Sequence, residues 1–176
     1  MYISLETEEV IVMSKELIPL LDIENLLPIL NRISIFGGLD DKQLYFLFKI
    51  LKQSNYKKGE YIFRQGEVPS NIYIIQKGRV RFIEEVDMTP YQIFEFGEGN
   101  CIGEASVLSR QPHVVSAVAC ENTVIIVLSK EEFFKIFKKD KNLFSILILN
   151  IAREICRRLK NSDDVLLHYI DKNRCS

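Results

Sequence analysis

Between Tyr56 and Leu128 the apolar pattern runs in short period-two stretches. Tyr61-Ile62-Phe63, Ile72-Tyr73-Ile74-Ile75, Arg79-Val80-Arg81-Phe82-Ile83, Tyr91–Phe96, Val114–Ala119 and Thr123–Leu128 are rich in β-branched and aromatic residues. Lys58-Gly59, Gln65-Gly66-Glu67, Lys77-Gly78, Asp87–Pro90, Gly97-Glu98-Gly99 and Glu121-Asn122 punctuate them. Short strands separated by turn residues at this spacing predict an antiparallel barrel or jelly roll.

Helical periodicity brackets this region. Leu17, Leu20, Leu21, Leu26, Leu27, Leu30 and Ile33 suit one or two helices in 15–33, interrupted by Pro19 and Pro28. Tyr2, Ile3, Leu5 and Val10–Val12 hint at extended structure before them. Asp40 with Gln43 opens a capping box, and Leu44, Leu47, Phe48 and Leu51 then form one apolar face. Ser129 with Glu132 starts a short helix carrying Phe133, Phe134, Ile136 and Phe137. A longer helix is expected from about Leu143 to Lys160, with Phe144, Leu147, Ile148, Ile151, Ile155 and Leu159 on one face. Asn161–Asp164 is expected to end it, with at most one more turn at Val165–Ile170. The expected organisation is a helical extension over 1–33, a main domain over 34–160 (strands about 56–128, helices 130–160) and a tail over 161–176.

Composition narrows the function. The 176 residues carry a formal net charge of −1, with 47% hydrophobic and 27% charged residues. That fits one globular domain with a sizeable core. It argues against a dedicated nucleic-acid binder, which would show a basic footprint. With sixteen residues after Lys160, a DNA-reading domain of roughly sixty residues is not expected within the chain as given, unless it is a fragment of a longer protein. The N-terminus lacks a signal-peptide pattern, and the longest apolar runs are too short to span a bilayer, so a cytoplasmic location without membrane partner is expected. Cys101, Cys120, Cys156 and Cys175 form no C-x-x-C pair; the first three are expected to be buried and Cys175 a tail thiol. No metal or cofactor is expected. No nucleophile–base–acid set is visible, so the chain does not read as an enzyme. His168, near the end, reads as a surface residue.

The candidate site is Gly99–Ser116. Gly103 permits a tight turn. Glu104 follows, and Ala105, Ser106, Val107 and Leu108 suit one helical turn whose first N–H groups lack intrahelical partners. Such groups attract anions. Nine residues after Glu104, behind Pro112, stands His113. Backbone donors, a carboxylate and an imidazole in one loop suit a phosphate beside a sugar hydroxyl.

Together these residues resemble the cyclic nucleotide-binding domain of bacterial catabolite-activator regulators, protein kinase A regulatory subunits and cyclic-nucleotide-gated channels. The likeness runs through Phe36, Leu39, Gly59-Glu60, Ile62, Gln65-Gly66-Glu67, Tyr73, Ile75, Gly78, Phe96-Gly97-Glu98-Gly99, Gly103-Glu104 and Pro112, covering about Ile33 to Leu159. It implies a mainly β fold, a double-stranded β-helix (jelly-roll) barrel with flanking N- and C-terminal helices. It implies that Gly103–Ser116 is the phosphate-binding cassette, with Glu104 on the ribose 2′-hydroxyl and the Ala105 and Ser106 amides on the phosphate. Gly103, Arg110, His113, Val114 and Ser116 complete the expected ligand site. The long helix would be the lid, with Asn150, Arg153, Arg157 and Arg158 as candidate base contacts, and 143–160 would be a homodimer seam.

One position departs from the pattern: His113 stands where the family carries arginine. Arginine is always charged and offers a two-pronged donor; histidine titrates near pH 6.5. The implied function is a non-catalytic module of a signalling protein, regulated by cyclic AMP or cyclic GMP and acting on an effector protein, with weakened affinity. Three variants stay open here: His113 serves as the cation at low pH, Arg110 replaces the missing guanidinium, or the pocket binds no cyclic nucleotide and the fold is an interaction or dimerisation module. Another small anion is a further option.

Overall fold

The computed structural model describes residues 15–20, 30, 33–86 and 89–174. The strands are β1 (Ile18–Pro19), β2 (Lys52–Tyr56), β3 (Tyr61–Phe63), β4 (Asn71–Lys77), β5 (Val80–Val86), β6 (Thr89–Phe96), β7 (Cys101–Ile102), β8 (Ser116–Ala119) and β9 (Thr123–Ser129). The helices are α1 (Asp41–Ile50), α2 (Glu104–Ser109), α3 (Lys130–Lys139) and α4 (Lys141–Arg174), with a 3-10 turn at Ser34–Phe36. All strand pairs are antiparallel, in two sheets ordered β1-β2-β9-β4-β7 and β3-β8-β5-β6. This is the mainly β, jelly-roll arrangement with flanking helices that the sequence implies.

The sequence of β4 explains why two cores exist. Ile72-Tyr73-Ile74-Ile75 is apolar without interruption, as a strand covered on both faces must be. Tyr73 and Ile75 point between the sheets, against Phe63, Val80, Ala117 and Ile125. Ile72 and Ile74 point the other way, into a helical core with Leu47, Phe48, Phe133, Leu147 and Ile151. Strand β9 divides likewise, Ile125 and Val127 inward and Ile126 and Leu128 outward. Strand β5 has one wet face: Val80 is buried, while Arg81 and Glu84 are exposed. Each fully buried aliphatic side chain contributes about 1.5–3 kcal/mol relative to exposure.

The helices are fixed at their ends. Asp40 caps α1 reciprocally: the Gln43 amide donates to Asp40 Oδ1 at 2.8 Å, and the Asp40 amide donates to Gln43 Oε1 at 3.1 Å. The Glu132 amide donates to Ser129 Oγ at 3.2 Å at the start of α3. Asn150 on α4 donates to the carbonyls of Ile35 and Gly37, at 3.2 and 2.8 Å, tying α4 to the 3-10 turn.

Three expectations need correction. Helix α4 does not stop at Asn161–Asp164 but continues to Arg174. No glycine or proline lies there, and exposed Asn and Asp cost a helix only a few tenths of a kcal/mol each. Part of the expected N-terminal helix is instead strand β1, where Pro19 sits opposite Lys52 on the sheet edge, a place that tolerates a missing N–H. Of the cysteines, Cys101 is buried, Cys120 half-buried and Cys156 exposed. The extended stretch hinted at Tyr2–Val12, the helix expected around Leu21–Pro28, and Cys175 lie outside the described residues.

Candidate functional site

The site is built where β7 turns into α2. Gly103 makes that turn at φ 80°. A Cβ there would lie 3.2 Å from both the Asn71 carbonyl oxygen and Tyr73 Cδ2, so conformation and space both demand glycine. The turn directs Glu104, the first residue of α2, into the protein, where it is 1% exposed. The first described bond into the helix is Val107 N–H to the Gly103 carbonyl, 3.1 Å. Among the described residues the amides of Ala105 and Ser106 have no acceptor, as expected for the second and third positions of a helix. Ala105 is exposed and Ser106 half-buried.

Glu104 is not left alone. Arg158 Nη1 on α4 donates to Glu104 Oε1 at 2.7 Å, Nη2 donates to the Cys101 carbonyl, and the Cys101 thiol lies 3.7 Å from Glu104 Oε2. Burial pushes the Glu104 carboxyl above the usual carboxylate range, and the Arg158 guanidinium opposes that shift. Burial likewise pushes the Cys101 thiol well up, with the Glu104 charge adding to it. Arg158 Cζ also stands 4.7 Å from the centre of the Phe96 ring, a cation–π distance. Behind it, Glu154 Oε1 lies 3.5 Å from Arg158 Nε; Glu154 Oε2 accepts from Arg157 Nη1 at 2.6 Å and from Ser34 Oγ at 3.3 Å.

Beyond α2 the chain passes through Arg110, exposed and left-handed at φ 57°. Gln111 and Pro112 are exposed, and His113 then turns inward, 5% exposed. Its backbone is clamped by the β3–β4 turn: His113 N–H donates to the Glu67 carbonyl at 3.0 Å, and Gly66 N–H donates to the His113 carbonyl at 2.7 Å. The imidazole is stacked on Phe63. Burial pushes its pKa below the ordinary histidine value, with only Glu67 opposing. Without a ligand, burial and the stack on Phe63 disfavour the protonated form of this ring. Ser116 is buried, its Oγ accepting from the Gln65 amide at 2.9 Å, whereas Val114 is 74% exposed.

The structure thus brings Gly103, Glu104, Ser116 and His113 into the interior around one loop, and leaves Ala105, Arg110 and Val114 on its outer side. Phe96, Phe82 and Phe63 form an aromatic wall beside it, with Phe96–Phe82 centroids 4.6 Å apart and Phe82–Phe63 6.0 Å apart. The sequence reading grouped Arg158 with three other polar residues of α4 and did not single it out. A signal was present: Leu147, Ile151, Glu154 and Arg158 follow i, i+4, i+7, i+11, so the last two continue a buried face. Among the described residues no three His, Cys, Asp or Glu side chains cluster to hold a metal ion. No helix there is long and apolar enough to cross a membrane.

This cassette links β7 of one sheet to β8 of the other, and the comparisons give the family of the chain. The family described as "Cyclic nucleotide-binding domain" matches residues 53–140. The "Cyclic AMP receptor protein" of Thermus thermophilus is 26% identical over 130 residues, covering 73% of this chain and 58% of that protein. The cAMP-dependent protein kinase regulatory subunit of Eremothecium gossypii is 29% identical over 102 residues, covering 58% of this chain and 21% of that one. The chain thus spans less than two thirds of the length of each of these curated relatives. Among solved structures, a cyclic nucleotide-binding domain from Methylobacillus flagellatus superposes with TM-score 0.73 at 23% identity, covering 82% of each chain. The guanosine-bound regulatory subunit of a cAMP-independent protein kinase A from Trypanosoma cruzi gives TM-score 0.58 at 27% identity, covering 69% of this chain and 47% of that one. The chain belongs to the cyclic nucleotide-binding domain family.

Proposed function

We propose that this domain is a non-catalytic sensor that binds a cyclic nucleotide, cyclic AMP or cyclic GMP, at the Gly103–Ser116 loop and signals to an effector protein. The observation that carries the reading is the buried Glu104 carboxylate beside two acceptor-less amides at the start of α2. In this reading Glu104 accepts the ribose 2′-hydroxyl proton and the Ala105 and Ser106 amides face the cyclic phosphate. His113, stacked on Phe63, supplies no guanidinium fork to that phosphate. Losing one charge-assisted hydrogen bond of about 1.5–3 kcal/mol weakens binding about tenfold to a hundredfold.

The same observation favours a second reading, in which an uncharged nucleoside is the ligand. Glu104 retains a ribose contact, while nothing at position 113 rewards a phosphate charge. That a similar domain of a cAMP-independent kinase subunit holds guanosine supports it. Calorimetric titration with cyclic AMP, cyclic GMP, adenosine and guanosine tests both readings. Saturation by a cyclic nucleotide ahead of its nucleoside supports the first, and the reverse order the second. No heat and no thermal shift with any of them at millimolar concentration leaves only the interaction-module alternative.

We also propose self-association through α4, on a different face from the one first expected. Leu143, Leu147 and Ile151 are fully buried in their own chain, with Phe144, Ile148 and Ile155 packed beside them. Leu149, Ala152, Cys156, Leu159, Leu166 and Ile170 are exposed and alternate by three and four along much of the helix, the repeat of a coiled-coil seam. Asp163 occupies the remaining seam position.

A further inference from the structure

One oxygen of the carboxylate that a ribose-bearing ligand needs, Glu104 Oε1, is already bonded to another side chain of the same chain. Arg158 makes three contacts at once: Nη1 to Glu104, Nη2 to the Cys101 carbonyl, and Cζ over the Phe96 ring, 4.7 Å from its centre. Donors to a carboxylate on a group that also lies over an aryl ring are what a ribose with its base presents: hydroxyls for a carboxylate and a heterocycle for an aromatic wall. The guanidinium is also held from behind. Glu154, 6% exposed, lies 3.5 Å from Arg158 Nε and is itself bound by Ser34 Oγ and Arg157. An internal group positioned in this way competes at a high effective concentration without any second molecule.

We infer that Arg158 is a specificity-determining residue of this pocket, an internal competitor for Glu104 that a ligand must displace. The inference rests on the sensor reading above. It selects for ligands carrying both hydroxyl donors and a flat ring. A simple anion such as inorganic phosphate does not displace Arg158, because it meets the Glu104 carboxylate with like charge. Displacement also frees α4 from the loop beyond Glu154, so occupancy of the pocket is felt by the helix that carries the exposed seam.

The test is titration of the wild type, Arg158→Gln and Arg158→Lys with cyclic AMP, guanosine and inorganic phosphate, with thermal melting of each protein. The expected result is affinity for cyclic AMP or guanosine at least about tenfold tighter in Arg158→Gln than in wild type, the scale of one charge-assisted hydrogen bond. Arg158→Lys stays nearer the wild type, and any affinity for phosphate is the same in all three. A merely structural role moves the melting temperature and leaves this affinity order unchanged. Binding by wild type with equal or weaker binding by Arg158→Gln overturns the inference and leaves the sensor reading standing. No binding by any of the folded proteins removes the sensor reading and the inference with it. If Arg158→Gln does not fold, hydrogen exchange in the wild type decides. Faster exchange over 156–174 on adding a ligand that binds supports displacement, and unchanged or slower exchange overturns it.

Discussion

The imidazole of His113 lies on the ring of Phe63, with centroids 3.9 Å apart and planes 13° from parallel. In sequence His113 is the family's arginine position; in space it is part of the packing beneath Gly103, whose would-be Cβ lies 3.6 Å from His113 Cε1. The charge state of this ring follows from that burial, and stability should register it.

Because burial lowers the His113 pKa in the folded protein, the unfolded chain binds the proton more readily. The contribution is present above the unfolded value near pH 6.5 and is lost as pH falls below it. Urea midpoints from pH 7.5 to 5.5 should therefore drop more steeply for wild type than for His113→Phe. Glu104, whose carboxyl is pushed up, contributes with the opposite sign at lower pH and is common to both proteins. Parallel pH profiles would show that His113 titrates normally.

On the cyclic-nucleotide reading, His113→Arg supplies the two-pronged donor that the imidazole lacks. Affinity for cyclic AMP or cyclic GMP should rise about tenfold to a hundredfold, while affinity for guanosine stays the same or falls. Calorimetry with both ligand types reads the split directly. An unchanged cyclic-nucleotide affinity would place the phosphate elsewhere, with Arg110 the next residue to substitute.

Glu104 and Arg158 share a bond largely removed from water, with side-chain exposures of 1% and 24%. A double-mutant cycle on unfolding free energy, using Glu104→Gln and Arg158→Gln, should give a coupling of about 1–3 kcal/mol. A coupling near zero would mean that the pair is held together by its surroundings.

How much of this was legible in the sequence varies with the kind of interaction. Most strands from β3 onward, the capping residues Asp40 and Ser129, and the turn at Gly103 are local matters of period and side-chain type, and they fold as the sequence implies; β2 (Lys52–Tyr56) lies ahead of the expected strand region, and Thr89 and Pro90 belong to β6 rather than to a loop. That β4 and β9 are buried on both faces was also readable, since neither Ile72–Ile75 nor Val124–Leu128 contains a polar residue. The burial of the His113 ring was not readable, because it depends on Phe63, fifty residues earlier in the chain. The Arg158–Glu104 bond joins two elements whose relative register is set by the whole helical core. The length of α4 was misjudged because Asn161–Asp164 looks like a loop, while an exposed helix tolerates such residues.

Gly103→Ala should destabilise the domain by at least about 1–2 kcal/mol, because φ 80° penalises any Cβ and two neighbours stand 3.2 Å away. Gly97→Ala is the control: a Cβ there meets nothing within 4 Å, and its φ lies outside the left-handed region. Chemical denaturation of both variants separates loop strain from a general glycine effect. Equal losses would refute the strain argument.

If α4 pairs in parallel and in register with a second copy along its exposed seam, two Cys156 thiols face each other. Mild oxidation should give a disulfide-linked dimer on a non-reducing gel, absent in Cys156→Ser. Leu166→Glu should shift light scattering to the monomer mass without lowering the melting temperature by more than a few degrees. A wild type that stays monomeric at high concentration would contradict the seam.

The most direct test of the whole account is calorimetric titration of wild type and Glu104→Gln with cyclic AMP, cyclic GMP and guanosine at pH 7.5. Recognition of a ribose by the buried carboxylate predicts saturable heat with at least one of these ligands in the wild type, and its loss in a Glu104→Gln protein that still melts cooperatively. Undiminished binding in Glu104→Gln, or no heat from any of the three ligands at millimolar concentration in the wild type, would contradict it.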